Sequence, residues 1–107
     1  MREVLIGERE TWIAVDGESV LGLLTLHNDF IDQLYIASVA QRSGLGARFI
    51  ALAKEQRPEG LQLWAFASNL PARAFYANHG FVEAERSDGS TNEERAPDIR
   101  FVWAPKS

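Results

Sequence analysis

The residue types and spacing best suited to chemistry lie in Gln41-Arg42-Ser43-Gly44-Leu45-Gly46, a polar, glycine-containing run just ahead of apolar residues at helical spacing. Glycine lets a backbone come close to a ligand, and the first N–H groups of a helix have no partner inside it. Such a turn favours an anion, for example a pyrophosphate. The glycines alone fit a plain strand-to-helix turn as well. Two familiar phosphate loops fail on the same residues. A Walker loop needs Lys followed by Ser or Thr after its last glycine, whereas Gly46 precedes Ala47 and Arg48. A dinucleotide fingerprint needs a third glycine where Phe49 stands. It also needs an acidic residue at the end of the next strand, where Trp64-Ala65-Phe66 stands.

Other chemistries are limited by composition. The chain has no cysteine, which removes disulfides, thiolate catalysis and cysteine-based zinc sites, and makes the cytoplasm the expected location. Its two histidines, His27 and His79, have no acidic pair at ligand spacing, so no metal site is expected. His79 lies in an Asn-His-Gly helix ending, where the dipole favours it, and is assigned no catalysis. A net charge of -4 gives no footprint for nucleic acid and suits a cationic or amine partner. No window approaches the roughly 20 apolar residues of a bilayer span, so neither export nor a membrane partner is expected.

The elements that must position these residues follow from periodicity. Residues 11–15 and 19–26 flank Asp16-Gly17-Glu18 and read as a hairpin, and residues 30–36 add a third strand to the meander. Leu45, Phe49, Leu52 and Ala53 then fall on one helical face, giving a helix over 44–56 that Arg57-Pro58-Glu59-Gly60 breaks. Residues 61–66 suit a buried strand. Asn69 can cap a second helix, with Pro71 in its first turn and Gly80 where it stops. Residues 81–86 and 99–103 read as closing strands around a polar loop, 87–98. With 107 residues, 46% of them hydrophobic, the chain is expected to be one domain, 1–107. The fold class is α/β of the mixed α+β kind, a mostly antiparallel sheet with helices packed on it.

Two segments carry a family resemblance. Leu34-Tyr35-Ile36 followed by Gln41-Arg42-Ser43-Gly44-Leu45-Gly46 resembles the acetyl-CoA motif of the GNAT acetyltransferases, a strand ending Leu-x-Val and then Gln/Arg-x-x-Gly-x-Gly/Ala. Asn69-Leu70-Pro71-Ala72-Arg73-Ala74-Phe75-Tyr76-Ala77-Asn78-His79-Gly80-Phe81 resembles the second signature of that family. The resemblance implies that the backbone of Leu34, Tyr35 and Ile36 holds the pantetheine arm of acetyl-CoA. It further implies that main-chain N–H groups of Gln41, Arg42, Ser43, Gly44, Leu45, Gly46 and Ala47 cradle the pyrophosphate, and that Asn69 contacts the cofactor arm besides capping. Tyr76 matches the position that donates a proton to the departing CoA thiolate. A core aromatic is its plainer reading. A phenol titrates near ~10 and an alkyl thiol near ~8.5, so hydrogen-bond donation to the nascent thiolate is favoured over full transfer. A backbone N–H near Ile36 is the implied oxyanion donor.

His27, Asp29 and Asp32 are the candidate general bases, each read first as a solvated turn or strand residue, and a water chain would also serve. Arg42, Arg48 and Lys54 could meet the CoA 3′-phosphate or simply face solvent. Many relatives carry Pro where Ser38 stands and Gly where Arg42 stands. Relatives also begin with a strand and a helix pair that wall the acceptor site, which this sequence is expected to lack. The acceptor pocket is then open, completed by a second subunit in a homodimer, or formed by chain outside this sequence. In the loop 87–98, Glu93, Glu94 and Asp98 would suit a cationic amine, or belong to a solvated loop. The reading is an acetyl-CoA-dependent N-acetyltransferase acting on a primary amine of a small molecule or peptide. The alternative is a non-catalytic acyl-CoA-binding sensor or subunit.

Overall fold

Alternating apolar residues interrupted by tight turns make the first part of the chain a run of antiparallel strands. The computed structural model describes residues 4–8, 10–90 and 95–105, which fall into two units, Met1–Arg57 and Pro58–Ser107. In the first unit, β1 (Val4–Glu8), β2 (Thr11–Asp16), β3 (Ser19–His27) and β4 (Phe30–Ile36) each pair antiparallel with the next. Strand β1 is an addition to the sequence reading, which began the sheet at Thr11. Its turn contains no Gly, Pro or Asn. Glu10 instead takes φ +67, a conformation uncommon for residues with a side chain, so no turn signature announces it. Arg57 holds this turn from outside. Its Nη2 pairs with Glu10 and its Nε donates to the Asn28 carbonyl, tying the β1–β2 and β3–β4 turns to the end of the helix.

Helix α1 (Leu45–Gln56) lies on this sheet and buries Leu45, Phe49, Ile50 and Ala53, each 0–1% exposed. Ile50 takes the buried place expected of Leu52, which is half-buried, because the contact stripe is rotated by part of a turn. Complete burial contributes about 1.5–3 kcal/mol for each large side chain. The helix can come this close because β3 has Gly22 beneath it. A Cβ there would lie 2.9 Å from the Phe49 ring, 3.0 Å from Leu45 and 2.8 Å from the Tyr35 carbonyl oxygen.

The second unit contains β5 (Leu61–Phe66), α2 (Leu70–Asn78), β6 (Val82–Ser87) and β7 (Asp98–Trp103). Strand β7 pairs antiparallel with both β5 and β6, and a bulge at Ala84 interrupts the β6 register. Leu61, Leu63, Phe81, Ile99 and Phe101 are its buried residues. The helix boundaries follow the sequence signals. Asn69 Oδ1 accepts from the Ala72 N–H at 3.2 Å, an N-cap bond. At the other end Gly80 has φ +89, the Gly80 N–H donates to Ala77, and the Phe81 N–H reaches back to the Tyr76 carbonyl at 3.0 Å. That pair of bonds is a Schellman motif, and the ring contact of Phe81 with Tyr76, centroids 5.6 Å apart, supplies its apolar staple. The order of strands and helices is the one read from the sequence, with β1 placed before it.

Candidate functional site

Two groups of residues, one in each unit, carry the candidate chemistry. In the first, β4 runs into a 3-10 turn, Ser38–Ala40, and an exposed bend leads to α1. The Ala37 N–H donates to the Leu21 carbonyl at 2.8 Å. Antiparallel alternation from that pair puts the N–H and C=O of Tyr35 into the β3 ladder and turns those of Leu34 and Ile36 to the opposite edge. Leu34 and Ile36 are therefore the two residues of this strand end whose backbone can serve something other than β3. The bend is braced by its own side chains. Gln41 Nε2 donates to the Ile36 carbonyl at 3.5 Å and the Ser43 hydroxyl donates to the Ala40 carbonyl.

At the start of α1, Gly44 is the N-cap with φ +86, so no side chain caps the helix, and no acidic residue stands in the first turn. The N–H groups of Leu45, Gly46 and Ala47 precede any intrahelical acceptor. A Cβ built on Gly44 would meet nothing within 4 Å, so the space over this turn is open. An uncapped N-terminus with open space above it is where a phosphate oxygen binds most readily. Arg42 occupies the bend at φ +66.

In the second group Tyr76 is half-buried against Phe75, Phe81 and Phe101, at centroid distances of 5.3, 5.6 and 6.0 Å. Burial raises its phenol pKa above the ordinary value, so the hydroxyl remains a proton donor through neutral pH. The Schellman bond holds its backbone carbonyl, and the Phe81 ring packs against its own ring. Asn69 is exposed at the other end of α2 and spends only its carbonyl oxygen on the cap. A shallow groove of about 550 Å³ runs along another face of α2, past Leu70, Arg73, Ala77 and Val82, and Tyr76 does not line it.

The family model of the acetyltransferase (GNAT) domain matches residues 7–83, which contain both groups. The chain belongs to the GNAT acetyltransferase family. A Mycobacterium tuberculosis protein named as a probable N-acetyltransferase is 32% identical over 104 residues, covering 90% of this chain and 52% of that protein. The chain thus spans about half the length of that curated relative. The solution structure of apo YjaB from Escherichia coli matches with a TM-score of 0.78 at 24% identity, over 90% of this chain and 65% of that one. A proposed streptothricin acetyltransferase from Bacillus anthracis, solved with acetyl coenzyme A, gives 0.76 at 21% identity, over 90% and 62%. The GNAT fold is therefore that of the chain, a mixed α/β fold with a mostly antiparallel sheet and helices packed on it.

Within this GNAT chain the remaining candidates are scattered. His27 and Asp29 are exposed at the β3–β4 turn and Asp32 is exposed at the bulge in β4, with no geometry that selects one as a base. Arg42 and Arg48 are exposed, and Lys54 is half-buried at the far end of α1. Glu93 and Glu94 lie outside the described residues. Asp98, read from sequence as the end of a loop, is instead the first residue of β7 and faces Phe66 across the ladder. Arg57 is the residue that sequence reasoning passed over. It was read only as part of a helix break, since the turns it joins lie 29 and 47 positions away. Among the described residues no group of three His, Asp or Glu side chains could hold a metal, and no helix is long and apolar enough to cross a membrane.

Proposed function

We propose that the chain is an acetyl-CoA-dependent N-acetyltransferase and that residues 1–107 act as one domain. The reading rests most on the α1 N-terminus, uncapped, free of acidic residues in its first turn and open above Gly44. These features suit the cosubstrate's pyrophosphate, held by main-chain N–H groups from Gln41 to Ala47. Leu34 and Ile36 would hold the amide-bearing arm through backbone groups turned away from β3, and the amide nitrogen of Asn69 would contact the same arm. That the family match runs across residues 57 and 58 supports one domain.

The reaction is direct. The nitrogen lone pair of a primary amine attacks the thioester carbonyl, the oxyanion collapses, the carbon–sulfur bond breaks and the amine gives up a proton to solvent. Tyr76 donates a hydrogen bond to the leaving sulfur. Because burial raises the phenol further above an alkyl thiol, the proton stays nearer to oxygen and the contribution is stabilisation of charge. No covalent enzyme intermediate is required. The absence of cysteine suits a reducing cytoplasm, and a homodimer would supply further walls to the acceptor site.

Calorimetric titration with acetyl-CoA, with CoA and ATP as comparisons, tests the reading. Saturable binding of acetyl-CoA and CoA but not ATP is expected. Binding without turnover on any primary amine would turn the assignment into an acyl-CoA-binding module, and no binding would remove both. Sedimentation with and without acetyl-CoA tests the dimer.

A further inference from the structure

One face of α2 stays uncovered. Leu70, Ala74 and Ala77 recur at intervals of four and three residues, the spacing that lines one side of a helix, and all three are exposed. Val82, at the start of β6, is 62% exposed and Leu70 is 64% exposed, and both line the groove of about 550 Å³ whose walls also include the buried rings of Phe81 and Phe101. Large aliphatic side chains left in solvent around a trough of that size mark a binding surface. Ala74 and Ala77 end at Cβ, which keeps the trough open.

The polar side of the groove is unequal in charge. Arg73 and Glu83 both line it. Glu83 Oε1 accepts from Nε and Nη2 of Arg86 at 3.0 and 2.6 Å, whereas its Oε2 stands 3.5 Å from Nη2 of Arg73, longer than a charge-assisted hydrogen bond. Two guanidinium groups thus share one carboxylate and leave a positive charge in excess. Hydrogen bonds from Arg86 above all, with Arg73 adding to them, hold the Glu83 carboxyl below its usual pKa, so it stays charged and engaged. Further along β6, Glu85 is matched by Arg100. Nη1 of Arg73 donates to the Ala67 carbonyl at 2.9 Å, which anchors the guanidinium and leaves Nη2 to exchange partners.

We infer that this groove binds an aliphatic monocarboxylate, with the carboxylate on Nη2 of Arg73 and the chain along Leu70, Ala74, Ala77 and Val82. Binding replaces a 3.5 Å contact with a full charge-assisted bond, and Glu83 keeps Arg86. A cation meets the surplus positive charge, and a neutral chain forgoes the bond to Arg73. A peptide brings backbone N–H and C=O groups onto apolar walls, at a cost in desolvation. Every residue of the site belongs to the second unit, and the inference is independent of acetyl transfer.

The test titrates the isotope-labelled chain with sodium octanoate, below its micelle-forming concentration and at constant ionic strength, and follows the backbone amide signals by NMR. Saturable shifts are expected at Arg73, Ala77 and Val82. Octylammonium and octanol should bind at least tenfold more weakly. So should butanoate, because each buried methylene raises affinity by up to about fourfold. Arg73→Gln should raise the octanoate dissociation constant at least tenfold with an unaltered circular dichroism spectrum. Should that variant not fold, Ala74→Leu, an exposed substitution that fills the groove, takes its place with the same criterion. Shifts that do not saturate, equal binding of the three octyl probes, no dependence on chain length, or unchanged octanoate affinity in the folded variant would each overturn the inference.

Discussion

Tyr76 acts in the transition state or not at all, because a hydrogen bond to a thiolate is worth most when the thiolate is forming. Tyr76→Phe should therefore lower kcat by about 10²-fold, within the usual range for a positioned acid, while the acetyl-CoA dissociation constant stays the same. Unaltered kcat would remove the residue from the mechanism. The pH dependence has a defined sign: a buried phenol with a raised pKa keeps its proton, so any alkaline limb caused by Tyr76 must lie above the ordinary phenol value near ~10. Rate against pH, wild type beside Tyr76→Phe, reads this directly. Arg42 gives a second prediction at this scale. At φ +66 a side chain is strained and glycine is not, so Arg42→Gly should raise stability by up to about 1 kcal/mol. A thermal melt measures it, and a lower Tm would mean that the arginine makes a contact outweighing the strain.

At the scale of elements, the seat of α1 on β3 has no slack. Gly22→Ala would drive a methyl into Phe49, Leu45 and the Tyr35 carbonyl, and overpacking of this kind costs about 1–3 kcal/mol. The same shift would move the α1 N-terminus, so acetyl-CoA affinity should fall together with the denaturation midpoint. A variant that lost stability and kept affinity would show that the loop is positioned independently of the helix. The elements also show what the sequence could reveal. Asn69 and Gly80 announced both ends of α2 because a cap acceptor and a left-handed residue are chemical requirements written in single residues. Strand β1 went unseen because Glu10 adopts its positive φ without being glycine, and its stabilising partner Arg57 is remote in sequence. In the candidate site the loop and Tyr76 were legible as local motifs. The division of labour along β4, with Tyr35 spent on β3 and Leu34 and Ile36 turned away from it, depends on which neighbour each hydrogen bond meets. No local pattern encodes that.

For the whole molecule, a net charge of -4 would act in opposite directions on the two proposed substrates. It would repel an anionic cosubstrate at long range, leaving binding to local N–H groups, and would draw in a protonated amine. Raising ionic strength from about 10 mM to about 150 mM shortens the screening length from ~30 to ~8 Å. At saturating acetyl-CoA, kcat/KM for a cationic amine should therefore fall over this range. A flat profile would exclude long-range attraction of the acceptor. Strand β6 places a different limit on the molecule. It ends the ladder of the second unit, its residues from Val82 to Arg86 are exposed, and Glu83, Glu85 and Arg86 accompany a bulge at Ala84. Charge and a broken register are how strand edges are kept from templating further strands. A second copy adding along this edge would meet charged side chains already paired, Glu83 with Arg86 and Glu85 with Arg100, and a broken register, so self-assembly by strand addition at β6 is disfavoured.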